Sequence, residues 1–331
     1  MNPNHILYIR TDRMGDFLMN LPAIHALRQS FPTAKITVLL HPQVQALLQG
    51  HPDIDTLIPF DPILKPKNFW IWFSFFWKLR KQHFDAVVIS NPHKYFHLFS
   101  ALLQIPIRVG WDQKWGFLLT HKATHPEQKK EHHEITNNLT LVALLEASLK
   151  EDSDSYVIPI TLTEEKIFLQ KHDITRPILI HPFTTHPAKQ WPIENFKSIL
   201  QKLTSFTSSP CILIGGPEEH PRIVKQFQEE LALHNIFDLS GCLTLKELAI
   251  LLKHSRFLFS NDSGPVHIAA AFQTPMLILY GRQEGSSPKR WLPWHPACTA
   301  SPISYIAKDD IRAISVEEVW QKIQEKLNAL S

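Results

Sequence analysis

The 331-residue sequence carries three cysteines, Cys211, Cys242 and Cys298, far apart and odd in number. Such scarcity argues against a disulfide framework or a cysteine-based zinc cluster and suits a reducing compartment. Long apolar runs are missing too: none approaches the roughly 20 residues of a membrane span. Ile6–Ile9 is too short for a signal-peptide core and runs straight into charge. A cytoplasmic protein is therefore expected. Several chemical signatures are also absent. No GxGxxG fingerprint occurs, no Gly-rich turn ends in GK[ST], and no DxD pair ends a strand. The nineteen histidines form neither HExxH nor a Cys/His knuckle, and there is no Gly-x-Ser-x-Gly elbow. No metal site is expected.

What is present begins with composition. At 44% hydrophobic and 20% charged, this is a folded globular chain, long enough for two domains. Its net charge of +3 conceals an asymmetry. Between Lys65 and Lys130 eleven Lys and Arg face Asp85, Asp112 and Glu127, a local excess of +8 that leaves the remainder at about −5. An anionic partner for the first half follows, nucleic acid or a phosphorylated lipid or sugar, unless the segment is only a solvated basic face. Inside it lies "FWIWFSFFW" (Phe69–Trp77), seven aromatics in nine residues, flanked by Lys65, Lys67, Lys78, Arg80 and Lys81. Trp favours interfaces because of its polar N–H. The stretch reads either as a helix lying on an anionic membrane face or as a helix buried between domains.

Strand-like and helix-like stretches alternate. Ile6–Arg10, Lys35–Leu40, Thr56–Phe60 and Phe84–Ser90 read as strands, with helices starting near Asp16, Pro42, Asn68 and Pro92. A long helix from His132 to Leu149 closes this half, and Lys150–Pro159 reads as a polar linker. The pattern restarts with strands at Pro177–His181, Pro210–Gly215, Ile236–Leu239, Arg256–Ser260 and Met276–Tyr280. Helices fit Ile193–Leu203, Glu218–Leu233, Leu245–His254 and Pro265–Phe272, and an amphipathic helix capped by Ser315 ends the chain. Two doubly wound α/β domains follow, each a parallel sheet covered on both faces, with a cleft between their strand ends. Their expected bounds are 1–155 and 156–314, with 315–331 as the closing helix.

The first strand ends in "IRTDRMGD", which puts Arg10, Asp12, Arg13 and Asp16 where a buried strand meets a helix. A tight turn needs Gly15 but not that much charge. Asp16 is either the N-cap of the next helix or a reactive carboxylate at the carboxyl end of a strand, where open α/β sheets bind ligands. In the second half, "SNDSGPVH" carries a strand through a turn into a helix with Pro265 at its first position. Ser263 and Gly264 offer backbone N–H groups at the positive helix end, a natural phosphate site, with Asp262 before them and His267 one turn further on. "HPFTTHPAKQWP" (His181–Pro192) supplies the hydroxyls of Thr184 and Thr185, the point charge of Lys189, and Trp191 as a packing anchor. In "LIGGPEE" (Leu213–Glu219) the Gly pair lets a ligand approach the backbone, and Glu218 or Glu219 can hold a ribose hydroxyl.

"RTDRMGDFLMNLPAIHALRQSFPTAKITVL", "HPFTTHPAKQWPIENFKSIL" and "DLSGCLTLKELAILLKHSRFLFSNDSGPVHIAAAFQTPMLILYG" resemble, in order and spacing, the ADP-heptose:lipopolysaccharide heptosyltransferases of glycosyltransferase family 9. The likeness covers nearly the whole chain and is weakest near Trp70 and over 282–299. It implies a GT-B fold, two Rossmann-like domains with the acceptor on the first and the nucleotide sugar on the second. It also implies an inverting, metal-independent transfer without a cofactor. On this resemblance Asp16 is the catalytic base and Lys189 contacts the donor phosphates. Asp262, Ser263, Gly264 and His267 bind the donor on the same resemblance; Thr184, Thr185 and Glu218 join them as donor candidates read from the residues alone, with Leu243 placed by position against the adenine. Arg10, Arg13, Lys94 and Arg108 are the candidates for the acceptor's anionic groups. Asp12 and Arg13 replace smaller residues common in the family, so Asp12 competes with Asp16 as base.

The expected partners are ADP-heptose or another nucleotide sugar and an anionic lipopolysaccharide core acceptor, with peripheral contact at the inner membrane. Two other classes compete. A nucleotide-sugar-binding protein without transfer needs only the second half and leaves Asp16 as a cap. A nucleic-acid binder is disfavoured, because neither a recognition helix nor an RNP-type aromatic pattern is present.

Overall fold

Ile6–Ile9 is a continuous apolar run and Ile36–Leu40 is apolar but for Thr37, as strands buried on both faces require. In the computed structural model, which describes residues 2–61, 69–124, 132–147, 156–172, 174–282, 287–293 and 302–330, both become central strands of a parallel sheet. The chain forms two units, Met1–Pro159 and Ile160–Ser331.

Unit 1 contains β1 (His5–Arg10), α1 (Met14–Leu18), α2 (Leu21–Ser30), β2 (Lys35–Leu40), α3 (Pro42–Leu48), β3 (Thr56–Pro59) and α4 (Phe69–Leu79). It continues with β4 (Ala86–Ile89), α5 (Lys94–Leu102), β5 (Ile107–Trp111), β6 (His121–Ala123) and α6 (Glu134–Ala143). The strand order is β3-β2-β1-β4-β5-β6. The sheet therefore reverses its winding between β1 and β4, where Ile9 is in register with Ile89. At such a switch point the loops after the two strands part and leave room for a ligand.

Unit 2 repeats that plan. After α7 (Leu162–His172) come β7 (Ile178–His181), α8 (Ile193–Phe206), β8 (Cys211–Leu213), α9 (His220–Gln226), β9 (Ile236–Asp238) and α10 (Leu245–Lys253). Then follow β10 (Phe257–Asn261), α11 (Gly264–Ala271), β11 (Met276–Gly281), α12 (Pro288–Trp291), β12 (Ile303–Lys308) and α13 (Val316–Ala329). The order β12-β11-β10-β7-β8-β9 puts this unit's switch point between β7 and β10, with His181 in register with Ser260. Trp191 is fully buried, edge-on to Phe196 and Phe259, and its Nε1–H donates to the Ile314 carbonyl at 2.9 Å. It is the packing anchor expected. α13 starts with a reciprocal Ser315–Glu318 capping box and buries Val319, Trp320, Ile323 and Leu327 in the same core.

The aromatic stretch combines a buried and an exposed face. Trp72, Phe76 and Leu79, spaced for one side of a helix, enter the core of unit 1. The Trp72 ring stacks on His93 at 5.2 Å and meets Phe60 edge-on at 4.8 Å. Full burial of a side chain such as Phe76 stabilises by roughly 1.5–3 kcal/mol. Trp70, Ile71 and Trp77 stay exposed on the other side.

Several sequence expectations are corrected. β5, β6 and β12 are strands not foreseen: Gly110 interrupts the first, the second is three residues long, and the third alternates weakly. α7 was also missed, because Phe168 is its one buried side chain and leaves little periodicity to detect. The helix expected over Glu218–Leu233 is α9 followed by a separate 3-10 turn, Glu230–Ala232. The helix expected from His132 to Leu149 ends at Ala143, with Glu146 in the left-handed region at φ 62°. Lys65, Lys67, Asn68 and residues 150–155 of the linker lie outside the described residues. Among the described residues no helix is long and apolar enough to cross a membrane.

Candidate active site

β1 delivers Arg10 to the switch point of unit 1, and the loop after β4 delivers Ser90 beside it. Arg10 is 5% exposed, which puts a full charge in the protein interior. Such a charge needs close partners. Its Nε donates to Asp12 Oδ1 at 2.7 Å, and Nη1 donates to Ser90 Oγ at 3.0 Å and to Glu134 Oε1 at 3.4 Å. Nη2 lies 3.9 Å from Asp16 Oδ1. Burial alone would lower the pKa of Arg10, but Asp12, Glu134 and Asp16 outweigh it and hold the guanidinium charged.

Asp16 is not an N-cap. It is the third residue of α1, and the cap position falls to Arg13, whose side chain makes no cap hydrogen bond. The Asp16 carbonyl accepts from Asn20 Nδ2 at 2.7 Å, and Asn20 Oδ1 accepts from the Tyr8 hydroxyl at 2.6 Å. Its carboxylate thus stands on a fixed turn. Burial pushes that carboxyl up and repulsion from Asp12 adds to it. Arg10 pulls the other way, and the net pKa is about 6. Three carboxylates around one guanidinium leave a local excess of negative charge, and a proton is held there more tightly than in water.

Among the acceptor candidates, Arg10 is enclosed by the chain's own groups, Asp12, Ser90 and Glu134. Arg13 and Lys94 are exposed near the ends of β1 and β4. Arg108 lies elsewhere. It is in register with Val87, and Val87 with Leu7. That level is three residues short of Arg10, roughly 10 Å at strand rise. Its guanidinium donates to the carbonyls of Leu118 and Ile105 at 2.8 and 2.6 Å. Arg108 is a latch for the β5–β6 connection and is not part of the cluster.

In unit 2, Lys189 Nζ donates to Asp262 Oδ2 at 2.8 Å, tying the Pro187–Lys189 turn to the end of β10. Asn261 fixes the same junction, accepting from the Trp191 N–H at 3.1 Å and donating to the Pro182 carbonyl at 2.9 Å. A second chain of contacts crosses the switch point. Ser263 Oγ lies 3.0 Å from His181 Nδ1, and His181 Nε2 lies 3.2 Å from Glu219 Oε2, which also accepts from the Gly216 N–H at 2.8 Å. Burial works against the ionised Glu219, yet His181 and that N–H hold its pKa below the usual carboxylate value. Ser263 occupies the N-cap of α11 without a side-chain cap bond; its hydroxyl donates to the Asn261 carbonyl at 3.2 Å and meets His181 Nδ1. His267 is buried in the first turn of α11.

The remaining donor candidates lie around this junction. Thr184 and Thr185 line an open cavity of about 420 Å³ with Gln190, Trp191 and Arg222. Lys189, Asp262, Ser263 and His267 are not among its lining residues. Arg222 lies over the Phe183 ring at 4.0 Å. Glu218 is exposed, and a Cβ on Gly216 would come within 2.6 Å of its carboxylate. Leu243 is half-buried after a turn whose Gly241 takes φ +67° and donates to the Gly215 carbonyl at 2.9 Å. Among the described residues no group of three or more His, Cys, Asp or Glu is placed to hold a metal.

Sequence reasoning missed Glu134, Ser90, Asn20 and Asn138 in unit 1 and His181 and Arg222 in unit 2. For Glu134 and Asn138 the signal was polar residues at buried positions of the helix α6, where Asn138 Nδ2 donates to the Met19 carbonyl at 3.1 Å; Ser90, just after β4, and Asn20, the N-cap of α2, carried no such signal. Nothing local in "HPFTTHP" distinguishes His181 from His186.

Two doubly wound sheets, each with a polar cluster at its switch point, form the frame of a ligand-binding α/β protein. A model of glycosyltransferase family 9 (heptosyltransferase) matches residues 72–320, and the chain belongs to that family. It is a glycosyltransferase. Lipopolysaccharide heptosyltransferase 3 of Escherichia coli is 24% identical over 288 residues, covering 85% of this chain and 83% of the relative. A family 9 glycosyltransferase structure from Veillonella parvula superposes with a TM-score of 0.81 at 18% identity, over 99% of this chain and 98% of that one. The E. coli heptosyltransferase WaaC, solved with ADP, gives 0.77 at 20% identity over 97% and 99%. These likenesses establish the GT-B fold expected from the sequence.

Proposed function

We propose that this protein transfers heptose from ADP-heptose to a hydroxyl of a lipopolysaccharide core acceptor with inversion, Asp16 acting as general base. The observation that carries this reading is the placement of Asp16 at the β1 end of the switch point, its proton affinity raised to about 6. A base with a pKa near the working pH is both ionised and able to accept a proton. Asp12 is the poorer candidate, since it is held at 2.7 Å by Arg10. Donor and acceptor classes follow from the heptosyltransferase relatives and from the ADP bound by the similar WaaC structure.

The acceptor oxygen bonds to the anomeric carbon as its proton passes to Asp16. The bond from that carbon to the diphosphate oxygen breaks, and ADP leaves with the electron pair. Charge grows on the leaving diphosphate. Lys189, oriented by Asp262, and the backbone N–H groups of Ser263 and Gly264 meet that charge without a metal. Calorimetric titration with ADP-heptose and with UDP-, GDP- and CMP-sugars tests the donor. Selective binding of ADP-heptose is expected. Binding of another nucleotide sugar in its place overturns the heptose assignment.

A further inference from the structure

The outer side of α4 plays no part in the transfer chemistry, and its composition is unusual. Trp70 is 67% exposed, with Ile71 and Trp77 exposed beside it. α4 packs on α5, and α5 on the 3-10 turn Gly116–Leu118. These elements expose Leu102 and Phe117, the latter by 75%. Among the described residues, every large apolar side chain that unit 1 exposes lies on these three elements. Scattered exposed apolar residues are ordinary, but a cluster on adjacent elements marks an interaction surface.

At the end of α4 the charge is of one sign. Lys78, Arg80 and Lys81 are exposed at the end of α4, and among the described residues none is ion-paired. Arg80 lies over the Trp77 ring at 4.8 Å, so one ring and one charge are presented together. From Phe69 to Leu118 the acids are Asp85 and Asp112. The Asp85 carboxylate accepts the Asn4 and His5 N–H groups at 2.8 and 2.9 Å at the start of β1, and Asp112, exposed beside the 3-10 turn, is paired with Lys122 at 3.0 Å. A second copy would present the same positive charge and be repelled.

We propose that this face of α4 docks on an anionic lipid bilayer, Trp70, Ile71 and Trp77 entering the headgroup region while Lys78, Arg80 and Lys81 meet lipid phosphates. Indole rings partition to that depth because one edge is apolar and the N–H is polar. Each neighbouring Lys or Arg adds attraction to anionic lipid that falls with salt. The helix lies along the surface, anchored from below by Trp72 and Phe76.

Flotation of the full chain with phosphatidylcholine vesicles, with and without phosphatidylglycerol, tests this. The vesicles hold neither lipopolysaccharide nor donor, so the result is independent of the transferase reading. Wild type is expected to float with the anionic vesicles and to be released by salt. Trp70→Ala/Trp77→Ala is expected to bind at least about tenfold more weakly, with melting temperature and far-UV spectrum unchanged. Lys78→Glu/Lys81→Glu, which spares the rings, is expected to lose the preference for anionic lipid. Failure of wild type to float, or wild-type binding by both variants, overturns the proposal. A lipid-free dimer in sedimentation that the Trp variant dissolves, without vesicle binding, overturns it in favour of a second copy.

Discussion

The two units wind their sheets in the same order and place their polar clusters at the same point, yet the clusters are chemically unlike. Unit 1 surrounds the buried Arg10 with Asp12, Asp16 and Glu134, one cation among three acids. Unit 2 balances Lys189 against Asp262 and links Glu219, His181 and Ser263 beside the start of α11. The shared strand order explains the shared location, since loops diverge only where the winding reverses. It does not explain the chemistry, which comes from the residues at the strand ends. An excess of negative charge raises a carboxylate's proton affinity and suits unit 1 to accepting a proton. A neutral ion pair next to a helix start suits unit 2 to receiving an anion.

The sharpest way to break this division is Asp16→Asn. Turnover is expected to fall at least about a hundredfold, as for a lost general base, with the donor dissociation constant unchanged by calorimetry. Near-normal turnover would remove the proton-accepting role from unit 1. Lys189→Ala is the counterpart in unit 2. Loss of a charged hydrogen bond of about 1.5–3 kcal/mol should weaken donor binding roughly ten- to a hundredfold. An unaltered dissociation constant would take the diphosphate away from Lys189.

Smaller effects sharpen the comparison. The rate kcat/KM should rise with pH through about 6 and then level, because Asp16 works when ionised. Glu134 repels that ionised form, so Glu134→Gln should move the acid limb to lower pH by less than about one unit. A limb that stays in place would separate Glu134 from Asp16, while a change in kcat alone would point to a packing role. The least effect concerns stability. The Asp16 pKa is raised in the folded chain, so the folded state holds the proton more tightly than the unfolded one. Its contribution to stability is greatest below the ordinary value of 3.8 and is lost as pH rises to about 6. Asp16→Asn escapes that loss and should melt about 2–4 °C above wild type at pH 8. The gain should disappear in acid.

Much of this protein is written locally. Strand runs such as Ile36–Leu40 and the Ser315 cap depend on near neighbours, and both form where their residues predict, while α11 starts at Gly264, one residue ahead of the expected Pro265. Asp16 and Asp262 were visible because charge at the end of a buried strand is rare unless a ligand or partner meets it, and Lys189 as the one cation in the turn that follows β7. The three-residue β8 and β9 were visible as apolar runs, whereas β5, interrupted by Gly110, and β6, His-Lys-Ala, were not. β6 has three residues, and its pairing with β5 supplies what its own sequence lacks.

The sequence by itself determined two doubly wound domains and the turns that carry charge, because strand burial and helix starts are set by periodicity and caps over a few residues. Only the tertiary structure decided that Glu134, 124 positions from Arg10, shares its guanidinium, and that His181 joins Glu219 to Ser263. It also decided which rings of "FWIWFSFFW" fill a core and which face outward. Those outcomes depend on which strand ends lie side by side and which helix face meets the sheet, and no local pattern encodes either.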